Sequence, residues 1–149
     1  MPHFRAKGEQ YYHNNPSLLT DQLYLAAARV ISGRLLLDLG ITSIINATLE
    51  LPTMAYQEQD ALQIAVEDRV ASKLYVYFDL VADKIHSVHK SSEGKLLIYC
   101  RAGMSRSASL CIAYFIKYHG MTFDEAYTYV TEFLTKHNLK ATEEDFLTM

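Results

Sequence analysis

The stretch LLIYCRAGMSRSASL, residues 96–110, decides how the rest of the chain is read. An apolar run ends on Cys100, a glycine-containing loop with two arginines follows, and a helix-forming segment begins at once. A strand that delivers its last residue into such a loop is typical of open α/β sheets, where ligands sit beyond the carboxyl ends of the strands. The backbone N–H groups of residues 101–106 can then converge with a helix N-terminus on one point, a nest that favours a dianion such as phosphate. Gly103 allows loop conformations that a Cβ opposes. Arg106 offers a planar fork suited to two phosphate oxygens at once, which lysine does not. The same amides and cation favour thiolate over thiol, so a lowered Cys100 pKa is expected. Phosphate cradle and activated nucleophile share one loop.

Working outward, the segment DQLYLAAA is expected as a short strand, and RVISGRLLLDLG as a helix closed by Gly40 at its C-terminal cap. ITSIINAT has the β-branched, continuously apolar character of a strand covered on both faces, and LQIAVE makes another after the proline-broken loop LELPTMAYQEQD. In YVYFDLVADKIHSVHKSS the apolar residues Phe78, Val81, Ala82, Ile85 and Val88 recur at helical spacing. KLLIYC is a buried strand, SRSASLCIAYFIKYH a helix ended by Gly120, and TFDEAYTYVTEFLTKH a helix with Thr122 and Glu125 as its capping box. Strands alternating with covering helices predict a single α/β domain, a central mostly parallel twisted sheet flanked by helices on both faces. Residues 1–19, polar and marked by Asn14, Asn15 and Pro16, are expected as an N-terminal arm before a domain of residues 20–149.

Charge and cysteine content narrow the function classes. A net charge of −3 with interspersed signs gives no basic face for nucleic acid or a membrane surface. Two cysteines, Cys100 and Cys111, do not make a disulfide framework, and a reducing setting is expected, the cytoplasm and also the nucleus. No apolar run of membrane-spanning or signal-peptide length is present, and Pro2 stands where N-myristoylation needs glycine, so a soluble, unanchored protein is expected.

The region YCRAGMSRSASLCIAYFIKYHGMTFDEAYTYV closely resembles the signature region of the dual-specificity protein phosphatases, in particular the small atypical ones that consist of little beyond the catalytic domain. The resemblance continues through LYLAAARVISGRLLLDLGITSIINATLELP and VYFDLVADKIHSV, and so covers roughly residues 20–135. It implies the cysteine-phosphatase fold, with Cys100 as the nucleophile that forms a phosphocysteine and Arg106 as phosphate and transition-state ligand. Arg101, Ala102, Gly103, Met104, Ser105 and Arg106 would form the phosphate-binding loop, and Ser107 would hydrogen-bond the sulfur and help it leave in the second step. The family also places an aspartate about thirty residues before the nucleophile. Asp68, 32 residues upstream of Cys100, fits as acid in the first step and base toward water in the second, with Glu67 the alternative acid. The activity implied is hydrolysis of phosphotyrosine and phosphoserine or phosphothreonine in phosphoproteins, with no metal or cofactor.

Three features depart from the family pattern, and several others stand outside it. Tyr99 replaces the histidine that usually precedes the nucleophile, which bears on the thiolate and the rate. Ala26 replaces a common glycine, and KATEEDF replaces the usual PN-x-GF near the end. Met104, where phosphoinositide-specific relatives carry basic residues, argues against that substrate class, and the long recognition loop of tyrosine-specific enzymes is absent, which implies a shallow pocket. His86 and His89, three apart on a helix, lack a third ligand at helical spacing and are expected as solvated side chains rather than a metal site. Cys111 is expected as a buried packing thiol, a redox partner for Cys100 being the sharper alternative. Two other functions compete with hydrolysis: a phosphoprotein-binding module with negligible turnover, supported by Tyr99, and a sulfur-transfer protein of the rhodanese kind.

Overall fold

In a computed structural model, residues 15–54, 59–67, 73–101, 105–132 and 146–147 are described. The strand Leu96–Cys100 lies at the centre, because all five of its residues are apolar enough to be covered on both faces. In chain order the strands are β1 (Ser17–Thr20), β2 (Leu23–Ala27), β3 (Ser43–Asn46), β4 (Asp60–Gln63) and β5 (Leu96–Cys100), arranged spatially as β1-β2-β5-β3-β4. β5 runs parallel to β2 and β3, with Ala27 opposite Cys100 and Asn46 opposite Tyr99. β3 and β4 are also parallel, and among the described strands only β1 pairs antiparallel, with β2. Among the described residues the α-helices, in chain order, are α1 (Gly33–Leu39), α2 (Phe78–His89), α3 (Ser105–His119) and α4 (Phe123–Thr131).

The period-two alternation of β5 divides the core between the two faces. Leu96, Ile98 and Cys100 join the larger cluster with Phe78, Val81 and Ile85 of α2, Leu110 to Phe115 of α3, and Ala126 and Val130 of α4. Leu97 and Tyr99 join the smaller cluster with Ile31, Ile41, Ile44 and Leu36 of α1. Helices on both faces of a mostly parallel sheet are thus observed as expected. α3 lies among sheet and flanking helices, which is why every residue from Ser105 to Phe115 is buried. At about 1.5–3 kcal/mol for each large apolar side chain removed from water, this three-way contact contributes much of the domain's hydrophobic stabilisation.

Local chemistry sets the ends of the helices. Ser32 accepts a hydrogen bond from Leu35 N at 3.1 Å and so caps α1, and Gly40 closes it in the left-handed conformation, φ 72°. The expected helix over residues 29–40 is therefore split: Ala28–Val30 make a 3-10 turn, Ile31 is extended, and α1 starts only after the Ser32 cap. The Thr122–Glu125 capping box forms in both directions and starts α4. The strand expected over 62–67 is displaced to Asp60–Gln63, with Ile64 N still bonded to Asn46 O at 2.8 Å.

Sequence reading assigns residues 1–19 to an arm, but Ser17–Thr20 form β1 at the edge of the sheet. The strand is held by contacts remote in sequence, including a Tyr129 hydroxyl bond to the Leu19 carbonyl and a 2.8 Å bond between Thr20 Oγ1 and His89 Nε2. Among the described residues, no helix is long and apolar enough to cross a membrane.

Candidate active site

Cys100 ends β5 in the larger core, 1% exposed, and α3 begins five residues later. That short connection brings the first turn of α3 back over the sulfur. Ser107 N donates to Cys100 Sγ at 3.5 Å, and the Ser107 hydroxyl lies 3.1 Å from the same sulfur. The Cys100 thiol in turn points to the Arg101 carbonyl at 3.7 Å. An amide at a helix N-terminus and a hydroxyl are both donors to a thiolate, so each favours the charged form. Burial acts the other way and outweighs them: it pushes the Cys100 thiol up, while Ser107 and the Arg106 charge pull it down. The lowered pKa expected from the sequence is thus not the net direction here.

Arg106, in the first turn of α3, is 1% exposed yet carries a full charge. Such a group requires partners, and it has them in a loop distant in sequence. Nη1 donates to Glu50 Oε1 and to the Val66 carbonyl, each at 3.0 Å, and Nη2 donates to Glu50 Oε2 at 3.0 Å. This is a bidentate fork on a carboxylate with a backbone acceptor added. The hydrogen bond from Arg106 lowers the Glu50 pKa to about 2, with the charges of Arg106 and Arg101 in support, so Glu50 is ionised at any working pH. The exposed Arg101 guanidinium also approaches Glu50, Nε to Oε2 at 3.8 Å.

Glu50 is the site residue that sequence reading missed. It lies in the loop LELPTM, and only the position two residues after Thr48 in a loop following a buried strand marked it. The loop is built from within. Asn46, fully buried, donates from Nδ2 to the Leu51 carbonyl at 2.9 Å, and its Oδ1 accepts from Thr48 N at 3.0 Å and Thr48 Oγ1 at 2.7 Å. Leu49 N donates to the Val66 carbonyl at 3.1 Å, the same oxygen that Arg106 uses. Tyr99 faces away from the sulfur, on the α1 side of the sheet; its hydroxyl accepts from Met54 N at 3.0 Å and donates to Pro52 O at 3.1 Å.

The structure therefore brings together Cys100, Ser107 and Arg106 of the expected site, with Ser105 buried beside them and Arg101 at the surface. Asp68 and the loop residues Ala102, Gly103 and Met104 lie outside the described residues. Glu67 is exposed. His86 stacks on Tyr118 at 4.0 Å between ring centroids, and His89 bonds the Ile85 carbonyl through Nδ1 at 2.9 Å, so both pack rather than converge. Among the described residues no His, Cys, Asp and Glu cluster could hold a metal ion. Cys111 is wholly buried on α3, and burial raises its pKa, as a packing thiol requires.

A thiol at the carboxyl end of a central parallel strand, met by the N-terminus of the following helix and a buried arginine within it, defines the class of the cysteine-dependent phosphatases. Residues 23–143 match the dual specificity phosphatase catalytic domain, and the chain belongs to that family. Dual specificity protein phosphatase 14 of Homo sapiens is 43% identical over 113 residues, 75% of this chain and 57% of the relative. Dual specificity protein phosphatase 18 of Bos taurus is 39% identical over 114 residues, 76% of this chain and 60% of the relative. The chain thus spans less than two thirds of the length of these relatives. Among solved structures, a mouse putative dual specificity phosphatase complexed with zinc tungstate superposes with a TM-score of 0.78 at 25% identity, over 91% of this chain and 85% of that one. Human DUSP28 superposes with a TM-score of 0.77 at 22% identity, over 89% and 88% respectively, which speaks for the fold.

Proposed function

We propose that the chain is a protein phosphatase that hydrolyses phosphotyrosine and phosphoserine or phosphothreonine through a phosphocysteine intermediate. The observation that carries this is the Cys100 sulfur receiving the amide and hydroxyl of Ser107 at the start of α3, one helical residue from a buried Arg106. In the first step the Cys100 thiolate forms the S–P bond, the P–O bond to the leaving alcohol or phenol breaks, and Asp68 gives that oxygen its proton. The amides of residues 101–106 and the Arg106 guanidinium hold the equatorial oxygens as charge gathers on them. In the second step Asp68 takes a proton from water, the water oxygen attacks phosphorus, and the S–P bond breaks. The Ser107 hydroxyl stabilises the departing thiolate. Support for Asp68 is indirect: Val66, two residues earlier in sequence, is bonded to Arg106.

The substrates are phosphoproteins, and the cytoplasm or nucleus, where thiols stay reduced, suits the two free cysteines. The upward pressure of burial on the Cys100 thiol favours one second reading, a phosphoprotein-binding module that uses the same cradle with negligible turnover. The test is hydrolysis of a generic aryl phosphate from pH 5 to 8 by the wild type, Cys100→Ser and Asp68→Asn, with vanadate as inhibitor. Vanadate-sensitive turnover lost in Cys100→Ser and reduced in Asp68→Asn is the expected result. Vanadate or phosphopeptide binding without turnover selects the binding module instead.

A further inference from the structure

At the end of the sheet away from Cys100, the β1–β2 turn is clasped to the chain that joins α2 to β5. Leu23 at the start of β2 pairs with Leu96 at the start of β5, whereas Ala27 and Cys100 pair at the other end. Thr20, the last residue of β1, meets His89, the last residue of α2, with Oγ1 2.8 Å from Nε2. Gln22 donates from Nε2 to the Ser91 carbonyl at 2.6 Å and to the Gly94 carbonyl at 2.8 Å, and its N–H donates to Thr20 Oγ1 at 3.1 Å. These contacts fix the tautomer of His89. A carbonyl only accepts, so the 2.9 Å contact with Ile85 O places a hydrogen on Nδ1. In the neutral ring Nε2 is then the acceptor, and the Thr20 hydroxyl donates to it while accepting from Gln22 N. Protonation puts a hydrogen on Nε2 and takes from the Thr20 hydroxyl the acceptor it had.

The surroundings oppose that proton. His89 is partly buried against α3, its ring 5.4 Å from that of Tyr114, whose hydroxyl lies 3.1 Å from His119 Nε2. The charged groups that act on it are His119 of α3 and His86, three residues back on α2, both cations when protonated. Asp83, close to His86, is engaged by Lys117 Nζ at 2.8 Å and by the Tyr118 hydroxyl at 2.6 Å. From the β1–β2 turn Thr20 and Gln22 bring no charge, and Asp21 and Lys90 are exposed. Burial first, then the charges of His119 and His86, hold the His89 pKa below the usual 6.5, against the pull of the Ile85 carbonyl. The unfolded segment therefore takes up the proton first, so the contribution of the clasp is complete above about pH 6.5 and is lost as pH falls below it. β1 is the element placed to respond, a four-residue edge strand held otherwise by an irregular ladder to β2 and a bond from the Tyr129 hydroxyl to Leu19 O. We propose that His89 and Thr20 form a pH-sensitive clasp that keeps β1 on the sheet at neutral pH and loosens it at mildly acid pH, with the central strand left in place. The inference stands apart from the phosphatase reading.

The experiment follows hydrogen exchange of β1 and β5 from pH 8 to 5 in the wild type, His89→Gln and Thr20→Val, with rates corrected for the intrinsic pH dependence of amide exchange. In the wild type, protection of β1 is expected to fall about threefold to tenfold across that range, on the scale of tenfold per unit of pKa displacement, while β5 stays protected. His89→Gln keeps a side chain that accepts from Thr20 but does not titrate, and level protection of β1 is expected. Thr20→Val keeps the shape and removes the hydroxyl, so β1 is expected to be less protected already at pH 8, with little further change. NMR titration of the wild-type His89 ring needs no variant, and its midpoint is expected to coincide with the change in β1 exchange. Protection of β1 that does not vary with pH in the wild type overturns the proposal. So does a fall of equal size in His89→Gln, which assigns the effect to His86, His119 or other groups, and so does a ring titration that does not coincide with the exchange. Thr20→Val indistinguishable from the wild type overturns it too, as does a loss of protection shared by β5, which is a global change and not the loosening of one strand.

Discussion

The loop after β5 and the loop after β3 leave neighbouring parallel strands at the same end of the sheet, and they divide the work of the site unequally. The first runs from Cys100 to Arg106, the nucleophile and the phosphate-oxygen ligand of the proposed reaction. The second carries no reactive group, yet Glu50 within it takes two of the three mapped bonds of the buried guanidinium. The two are stitched together directly, by Ala47 N to the Tyr99 carbonyl at 2.8 Å. The proposed reacting groups thus lie on one loop, and the carboxylate that pairs the buried cation lies on a quiet one. A buried cation demands an acceptor set with fixed geometry, and residues 101–105, RAGMS, include no carboxylate, so the acceptors come from elsewhere in the chain.

The largest effect is expected from removing the fork on the reactive side. Lysine at position 106 keeps the charge but is a single ammonium, unable to span the Glu50 carboxylate and two phosphate oxygens together. Arg106→Lys is expected to lower kcat/KM by about 10²–10³, the scale of losing an oriented transition-state donor. Steady-state kinetics on an aryl phosphate reads this. Near wild-type activity would mean that charge alone suffices and that the quiet loop has nothing to orient.

A second substitution works from the other side. Asn46 is fully buried and its amide bonds Leu51 O, Thr53 Oγ1, and the N–H and hydroxyl of Thr48. Asn46→Ala leaves several of these buried without that partner, and a loss of about 2–3 kcal/mol in unfolding free energy is expected. Urea denaturation measures it. Turnover at a temperature where the variant remains folded is also expected to fall, because the loop presenting Glu50 is loosened. A stable variant, or an unstable one with a full rate per folded molecule, would separate the brace from the site.

The same contrast explains what could be read from the chain. The strand-to-helix loop, the Gly40 and Gly120 helix ends and the Thr122 capping box are local in sequence, set by residues within a few positions of one another. These were legible. Glu50 was not, since its partner Arg106 is 56 residues away and a glutamate in a polar loop ordinarily faces solvent. β1 escaped for a similar reason. Four residues, SLLT, are too few to show a period, and the strand gains its place from the β2 ladder and from Tyr129, 110 residues on. Tyr99 was noticed as a departure, but its consequence followed from the face of β5 on which it lies. Alternation along a strand assigns opposite faces to neighbours, and here it separates Tyr99 from the sulfur it precedes.

The smallest effect expected concerns acid stability, and it isolates Glu50 from the catalytic groups. Its carboxyl titrates near 4.5 when unfolded and at about 2 when folded, chiefly through the Arg106 hydrogen bond. A carboxyl with a lowered folded pKa binds protons more readily in the unfolded chain. Its contribution to stability is therefore complete above about pH 4.5 and is lost as pH falls toward 2. Urea midpoints of the wild type are expected to drop across that interval more steeply than those of Glu50→Gln. The side chain is 37% exposed, so solvent screening keeps the difference small. From pH 5 to 8 the carboxylate stays ionised, and an acid limb in the rate over that range belongs to other groups. If Glu50→Gln shifts that limb without changing the low-pH slope of stability, the ion pair with Arg106 is not the contact that joins the two loops in solution.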